Sequence, residues 1–271
     1  MAIRLVVLDI DGTIAGDSNQ VSPGVLEAIA QVQAQGIPVA LATGRMYRSA
    51  LRFHQKIQSP LPLITYNGAL TQDPQTGEVR RHRPLGAEIA LEIWRYFMDL
   101  PETSPLELHC YHQDQLYVPA ITEQTQAYLA RAGVTALAQE DLEPLLRQEP
   151  TKLLAISPDS AWLRRLQGDL RRRLTEEQVY FTQSTDIYFE ITHPQATKGQ
   201  AVQHLAETLL GLTASEVLAI GDNFNDLDLL QYAGRGVAMG NAPEGVKAVA
   251  DEVTADVEAD GVAQVLAGLL V

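Results

Sequence analysis

Two short apolar runs, each followed by a pair of aspartates, constrain the fold of this chain most strongly. The aspartates directly follow the runs: Asp9 and Asp11 after residues 3–8, and Asp222 and Asp226 after residues 217–220. Such runs, rich in valine, leucine and isoleucine, are typical of strands buried on both faces of a parallel sheet. A carboxylate at the end of a buried strand is costly unless a cation or a proton neutralises it. The pattern therefore predicts a sheet edge that gathers acidic groups, and a hard divalent metal ion is the simplest partner for them.

Alternating strand and helix patterns occupy both ends of the chain and are interrupted in the middle. Residues 1–83 and 190–271 alternate short apolar strands with helices, which predicts a parallel sheet covered by helices on both faces. Residues 84–189 contain hairpin-like strands and longer helices, which predicts a separate α+β domain. We therefore expect an α/β core formed by residues 1–83 plus 190–271, with residues 84–189 inserted into it.

The composition excludes several classes of partner. Hydrophobic residues make up 46% of the 271 residues, enough for a large core, and the formal net charge is −14. An acidic chain is not expected to bind nucleic acid or an anionic membrane, because both attract a basic surface. The single cysteine, Cys110, rules out an internal disulfide and fits a reducing cytoplasm. A small anionic substrate stays compatible with this composition if the site supplies local positive charge.

Polar residues follow four of the predicted strands. Ligands of open parallel sheets bind outside the carboxyl ends of the strands, so side chains at that edge are expected to meet. These side chains are Asp9 and Asp11, Thr43, Asn67 and Asp222, and Lys198 opens a helix that can reach the same edge. They suit phosphoryl transfer, because one carboxylate can attack phosphorus and a second carboxyl can protonate the leaving oxygen.

The remaining chemistry requires groups that bind an anion. Backbone N–H groups from Ile10 to Gly12 can bind the phosphoryl oxygens, and a glycine allows a close approach. A lysine and a hydroxyl can hold the other oxygens. Mg²⁺ would offset the repulsion between Asp9 and the phosphate, and it prefers one or two carboxylates, waters and a phosphate oxygen as ligands.

Four segments occur in the order of the motifs of a known family. They are Asp9-Ile10-Asp11-Gly12-Thr13, Thr43-Gly44-Arg45, Lys198-Gly199 and Gly221-Asp222-Asn223-Phe224-Asn225-Asp226. Together they resemble the motifs of haloacid dehalogenase-like hydrolases, and the insertion between the second and third resembles the Cof-type subfamily with a C2 cap. The resemblance implies a Rossmann-like core, an inserted cap domain, and a Mg²⁺-dependent phosphatase that acts on a small phosphorylated metabolite.

The resemblance also implies a role for each motif residue. Asp9 is expected to be the nucleophile and a metal ligand, and Asp11 the general acid/base whose backbone carbonyl also binds the metal. The other expected roles are phosphoryl binding by Thr43, the Gly44 backbone and Asn225, charge compensation by Lys198, metal binding by Asp222, and positioning of Asp9 or the substrate by Asn67. Asp226 is expected to bind the metal, to hold a ligand in place, or to cap the next helix. Three roles stay open for Arg45: its side chain can extend into solvent, brace the Asp222 loop, or contact the substrate.

Three functions are compatible with these residues. Hydrolysis of a small phosphomonoester, such as a sugar phosphate, FMN or pyridoxal phosphate, is favoured. A phosphotransferase or mutase would pass the phosphoryl group to another sugar hydroxyl with the same residues. A non-enzymatic sensor of phosphorylated metabolites is disfavoured by Asp11, because a switch does not need its own general acid for turnover.

Overall fold

The chain folds into two compact units, seen in a computed structural model that describes residues 2–101 and 103–270. The core unit consists of Met1–Arg81 and Thr197–Val271, and the inserted unit consists of His82–Ala196. The inserted unit extends beyond the predicted segment 84–189 because Tyr188–Thr192 is one continuous strand that pairs within its sheet.

Strands and helices alternate in the core unit, and the inserted unit combines hairpins with helices. In chain order, the strands are β1 (Leu5–Leu8), β2 (Val39–Leu41), β3 (Leu63–Thr65), β4 (Leu70–Gln72), β5 (Val79–His82), β6 (Glu107–His112), β7 (Gln115–Val118), β8 (Ala136–Ala138), β9 (Lys152–Ile156), β10 (Tyr180–Thr185), β11 (Tyr188–Thr192), β12 (Val217–Gly221), β13 (Arg235–Ala238) and β14 (Glu252–Val253). The helices are α1 (Pro23–Ala34), α2 (Tyr47–Ile57), α3 (Ala87–Met98), α4 (Glu123–Ala132), α5 (Glu143–Leu146), α6 (Ser160–Arg173), α7 (Lys198–Gln203), α8 (Leu227–Tyr232), α9 (Glu244–Lys247) and α10 (Gly261–Ala267). The helix that Lys198 was predicted to open is α-helical over α7 and continues as a π-helix over His204–Leu209.

A five-stranded parallel sheet forms the centre of the core unit, in the order β14-β13-β12-β1-β2. β1 lies between β12 and β2, and all of its side chains are buried, which is why its sequence has no polar face. The register pairs Leu8 of β1 with Ile220 of β12 and with Leu41 of β2. The carboxyl ends of these three strands therefore lie side by side. This sheet confirms the predicted α/β fold class.

The first helix shows why helices cover this sheet. The hydroxyl of Ser22 accepts a hydrogen bond from the backbone N–H of Val25 at 3.1 Å, and Pro23 occupies the first helical position. Val25, Ile29 and Val32 then recur at helical spacing and are buried in the same cluster as two of the β1 side chains. In the part of the chain that the structure describes, no helix has the length and apolar character needed to cross a membrane.

The predicted strand that precedes Asn67 departs from the parallel sheet. β3 meets it at a parallel bridge between Ile64 and Ala42, and then pairs antiparallel with β4 in a separate sheet, β3-β4-β5. The chain turns immediately after β3, where Tyr66–Gly68 forms a 3₁₀ turn. The bridge still brings this turn to the site, because the backbone N–H of Asn67 donates to the carbonyl of Thr43 at 2.9 Å.

The inserted unit contains a six-stranded sheet in the order β10-β11-β9-β6-β7-β8. β6 and β7 form the predicted antiparallel hairpin, whereas β8, which was not predicted, runs parallel to β7. Side chains alternate between the faces of a sheet. The alternate residues Leu108 and Cys110 of β6 are buried with the side chains of α3 and α6, so helices cover one face of this sheet.

Candidate active site

Three carboxylates and one ammonium group form the centre of a site at the carboxyl edge of the core sheet. Asp9, Asp222 and Asp226 are buried, and each places a carboxylate oxygen within 4.8 Å of the others. Nζ of Lys198 donates to Oδ1 of Asp9 at 2.7 Å and to Oδ1 of Asp226 at 2.6 Å. When all four groups are ionised, the ammonium balances one carboxylate and two negative charges are left without a positive partner in the cluster.

The secondary structure fixes each member of this cluster. Asp9 continues β1, and its backbone N–H donates to the carbonyl of Ile220 in β12 at 3.1 Å. Asp222 is the first residue after β12. Lys198 is the first residue of α7, which is capped by the hydroxyl of Thr197. The parallel strands and the start of α7 therefore bring Asp9 together with Lys198, 189 positions later, and with Asp222, 213 positions later.

Both carboxylate oxygens of Asp226 accept hydrogen bonds from other groups of the protein. Oδ1 accepts the ammonium hydrogen bond from Lys198, and Oδ2 accepts the backbone N–H groups of Asp222 and Asn223, both at 3.1 Å. The carboxylate therefore holds the loop that carries Asp222 and also holds the lysine. Of the roles expected for Asp226, this geometry favours that of an anchor.

Burial, together with the neighbouring negative charges, raises the pKa of two carboxyl groups. Burial and the repulsion from Asp226 and Asp11 raise the pKa of Asp9 to about 7, although Lys198 acts in the opposite direction. Burial and the repulsion from Asp9 and Asp226 raise the pKa of Asp222 to about 8. The donor set therefore fits a hard divalent cation, which prefers carboxylate oxygens and would compensate this charge.

Lys198 keeps its charge in this site. Burial by itself would lower the pKa of its ammonium group, but the carboxylates of Asp226 and Asp9 outweigh burial, so the pKa lies above its ordinary value. The lysine is therefore a permanent cation in the cluster, as its predicted role in charge compensation requires.

Gly12 allows the Asp222 carboxylate to lie against the loop that follows β1. The φ angle of Gly12 is 78°, in the left-handed region that favours glycine. A Cβ at this position would lie 2.2 Å from Oδ2 of Asp222. The hydroxyl of Thr13 donates to Oδ1 of the same carboxylate at 3.4 Å. A glycine is thus required for the carboxylate cluster itself, and the phosphate contacts of Ile10 and Gly12 stay predictions.

The Asp11 carboxylate lies outside the group of three and pairs with Arg45. Nε and Nη2 of Arg45 donate to its two oxygens at 2.7 and 2.6 Å, and Nη2 also donates to Asn19 at 2.7 Å. The guanidinium group lies over the ring of Phe53, 4.7 Å from its centroid. This pairing differs from each role left open for Arg45, and it holds the predicted general acid/base in one orientation.

Thr43, Asn67 and Asn225 lie together beside the carboxylates. The hydroxyl of Thr43 accepts the backbone N–H of Arg45 at 3.2 Å, across Gly44. The side-chain amide of Asn225 donates to Oδ1 of Asn67 at 3.0 Å, and both residues are buried. The structure therefore brings the predicted residues of the second and fourth motifs together with Asn67. Their contacts with a phosphoryl group stay predictions.

The comparisons with known proteins identify the family. The chain matches the haloacid dehalogenase-like hydrolases over residues 6–266. It belongs to this family of hydrolases. Phosphatase YwpJ of Bacillus subtilis (strain 168) is 28% identical over 291 residues, covering 99% of this chain and 100% of that protein.

Two further relatives extend the similarity. The 5-amino-6-(5-phospho-D-ribitylamino)uracil phosphatase YitU of Bacillus subtilis (strain 168) is 27% identical over 273 residues, covering 97% of this chain and 96% of that protein. The crystal structure of TM0651 from Thermotoga maritima superposes with a TM-score of 0.83 at 30% identity, covering 98% of this chain and 97% of that one. The predicted family, fold and enzyme class are thereby confirmed.

Two residues that the sequence did not predict contact the site of this hydrolase. The side-chain amide of Asn241 donates to the carbonyl of Gly12 at 2.9 Å and to Oδ2 of Asp222 at 3.4 Å. The carboxylate of Asp228 accepts the backbone N–H of Gly199 at 2.9 Å. Asn241 follows β13 at the same carboxyl edge, so the rule that identified the other polar residues could have found it. Asp228 lies on a helix, where the sequence carries no comparable signal.

Proposed function

We propose that this hydrolase is a Mg²⁺-dependent phosphatase that cleaves a small phosphomonoester of the sugar phosphate, FMN or pyridoxal phosphate class. The observation that carries the proposal is the buried cluster of three carboxyl groups, of which the Lys198 ammonium group can balance only one once all are ionised. A divalent cation would complete the compensation and create a place for a phosphoryl group. Two relatives that match almost the whole chain are named phosphatases, which supports the reaction class.

Asp9 and Asp222 would hold Mg²⁺, together with the backbone carbonyl of Asp11. Asp226 would hold these ligands in place, because its oxygens already bind Lys198 and two backbone N–H groups. Bound Mg²⁺ would neutralise part of the negative charge, so that an anionic carboxylate can approach an anionic phosphoryl group.

The reaction would proceed in two displacements at phosphorus. An oxygen of Asp9 attacks phosphorus, the bond from phosphorus to the ester oxygen breaks, and Asp11 gives its proton to the leaving alkoxide. A water molecule then attacks the aspartyl-phosphate and gives a proton to Asp11. The bond from phosphorus to Asp9 breaks, which releases inorganic phosphate and restores both carboxyl groups.

The other residues of the site would bind and orient the reacting groups. Lys198 orients Asp9 through the hydrogen bond to Oδ1 and offsets charge on the phosphoryl oxygens. The phosphoryl group would be bound by Thr43, Asn225 and the backbone N–H groups of Ile10, Gly12 and Gly44. Arg45 would keep Asp11 oriented during proton exchange, because it donates one hydrogen bond to each carboxylate oxygen and leaves a second lone pair for the proton. Asn67 would position Asn225, to which it is hydrogen-bonded.

The proposal extends to the inserted unit and to the cell. We propose that the inserted unit is a C2-type cap domain and that the enzyme acts in the cytoplasm, without binding nucleic acid. The free, buried thiol of Cys110 is compatible with a reducing compartment.

Phosphate release from a panel of esters tests the proposed function. The panel contains sugar phosphates, nucleotides, FMN and pyridoxal phosphate, each assayed with Mg²⁺ and with EDTA. We expect release from at least one ester, loss of release in EDTA, and recovery when Mg²⁺ is added. No release from any ester would contradict the phosphatase function, and release that persists in EDTA would contradict the metal role of Asp9 and Asp222. Transfer to an added sugar without free phosphate would favour the phosphotransferase.

A further inference from the structure

A carboxylate on α8 holds the first turn of α7, the helix that begins with Lys198. Oδ2 of Asp228 accepts the backbone N–H of Gly199 at 2.9 Å. The N–H groups in the first turn of a helix have no partner within that helix. The hydroxyl of Thr197 satisfies another of them, the N–H of Gln200, at 3.2 Å. The start of α7 is therefore fixed by its own cap and by a residue of a second helix.

The two helices approach so closely that a side chain at position 199 would prevent the contact. A Cβ on Gly199 would lie 2.5 Å from the carbonyl oxygen of Asp228 and 2.8 Å from its Oδ2. The backbone of α8 thus lies directly against the start of α7. Because α8 begins immediately after Asp226, one short segment supplies both the carboxylate that binds the Lys198 ammonium group and the carboxylate that fixes its backbone.

The position of the Lys198 backbone matters because its side chain must reach two acceptors at once. The side chain is fully buried, and its ammonium group lies 2.7 Å from Asp9 and 2.6 Å from Asp226. A displacement of about 1 Å would lengthen at least one of these bonds beyond hydrogen-bonding distance. Misplacement on this scale can cost about a hundredfold in rate when it affects reacting groups.

We propose that Asp228 is a positioning residue of the hydrolase: through Gly199 it fixes the start of α7 so that Lys198 bridges Asp9 and Asp226. The inference rests on the proposed function, in which Lys198 orients the nucleophile. Asp228 itself does not touch the reacting atoms, so its effect on the rate passes through Lys198.

Two substitutions of Asp228 and one matched control test this role. Asp228→Ala removes the acceptor, and Asp228→Asn keeps a carbonyl oxygen at the same place. Asp251→Ala is the control, because the Asp251 carboxylate accepts the backbone N–H of Gly236 at 2.7 Å in the same unit, outside the carboxylate cluster. We expect kcat of Asp228→Ala to fall about tenfold or more, as for other residues that orient a metal site. Asp228→Asn should stay within about threefold and Asp251→Ala within about twofold of the unaltered enzyme.

The comparison of rate with stability decides whether Asp228 positions Lys198 or only supports the fold. Both alanine variants lose one carboxylate–backbone hydrogen bond, so both should lower Tm, and kcat is measured well below each Tm. An equal loss of kcat in Asp228→Ala and Asp251→Ala would overturn the proposal, as would an Asp228→Asn variant as slow as Asp228→Ala. If Asp228→Ala does not fold, Asp228→Ser, whose shorter side chain cannot reach Gly199, replaces it in the same comparison.

A crystal structure of the alanine variant separates this inference from the proposed function. If the unaltered protein releases no phosphate from any ester, the phosphatase proposal fails, but the position of Lys198 can still be measured. A separation of more than about 3.5 Å between Nζ of Lys198 and Oδ1 of Asp9 would support the positioning role. An unchanged bond in a folded variant would overturn it.

Discussion

The two units of this protein each bury a lysine with carboxylates, and the two groups differ in their balance of charge. In the inserted unit, Nζ of Lys152 lies 2.7 Å from Oε1 of Glu190, and both side chains are buried. In the core unit, Lys198 bridges two aspartates and a third lies beside them. With every group ionised, the Lys152 pair carries no net charge, whereas the Lys198 cluster carries an excess of two negative charges. A buried excess of this kind indicates a further cation, which a neutral pair does not require.

The backbone explains why only one of these groups is suited to chemistry. Lys152 and Glu190 lie on the adjacent strands β9 and β11, in the regular part of a sheet, and Lys152 also lies over the ring of Tyr111 at 5.1 Å. The Lys198 cluster instead consists of residues just beyond strand ends and at the start of a helix. Such places lie at the carboxyl edge of the sheet, where the ligands of parallel sheets bind, whereas the middle of a regular strand does not.

The strongest test of the comparison removes a negative charge from the core cluster. For Asp9→Asn we expect kcat to fall by at least about 10⁴-fold, because an amide cannot act as the nucleophile. The fold should be retained, since the substitution lowers the excess of buried negative charge. Phosphate release and thermal unfolding measure the two effects, with Asp251→Asn as the matched carboxylate-to-amide control. Phosphate release by Asp9→Asn at the rate of the unaltered enzyme would contradict the assignment of Asp9 as the nucleophile.

The corresponding substitution in the inserted unit should lower the free energy of unfolding. Glu190→Gln removes the carboxylate that lies 2.7 Å from the buried ammonium group of Lys152, which costs about 3 kcal/mol of unfolding free energy. The double variant Lys152→Met with Glu190→Leu should recover most of this loss, because it removes both charges and keeps apolar volume. Urea denaturation of the single and double variants measures the difference. A Glu190→Gln variant as stable as the unaltered protein would show that the ion pair of Lys152 and Glu190 does not stabilise the fold.

The sequence predicted the core site because its residues obey a rule that needs no coordinates. β1 and β12 are apolar throughout, so their parallel pairing could be inferred, and the residues after them had to lie at one edge. Asp9 and Asp222 meet there as expected. The Lys152–Glu190 pair could not be inferred in this way, because it depends on which strands of the inserted unit are neighbours.

The contacts that the sequence missed depend on loop geometry and on helix packing. The pairing of Asp11 with Arg45 requires the turn after β1 to place two loops side by side. The contact of Asp228 with Gly199 requires α7 and α8 to pack closely. The end of the inserted unit was placed inside β11 because the apolar pattern of that strand does not say which sheet it joins. Such features follow from the tertiary structure, which no local pattern records.

Mg²⁺ should stabilise the protein through the Lys198 cluster and not through the Lys152 pair. A ligand that binds the folded state at about 100 times its Kd stabilises it by about 2.7 kcal/mol, so Mg²⁺ should raise Tm relative to EDTA. The increase should be lost in Asp222→Asn and retained in Glu190→Gln. Differential scanning calorimetry at several Mg²⁺ concentrations measures it. An equal increase in the Asp222→Asn variant would place the metal elsewhere.

The smallest expected effect concerns pH in the metal-free protein. The pKa values of Asp9 and Asp222, about 7 and about 8, lie above their ordinary value of 3.8. A carboxyl whose pKa is raised by folding contributes stability that is complete below about pH 4 and is lost as the pH rises through its folded pKa. In EDTA, Tm should therefore fall between about pH 6 and pH 8.5, where these two groups ionise.

Added Mg²⁺ should reduce the fall, because it stabilises the ionised carboxylates. The double variant Asp9→Asn with Asp222→Asn, which cannot ionise at these positions, should show a flatter profile. If Tm falls equally steeply in that variant, other groups cause the pH dependence, and the ionisation of Asp9 and Asp222 does not destabilise the metal-free protein.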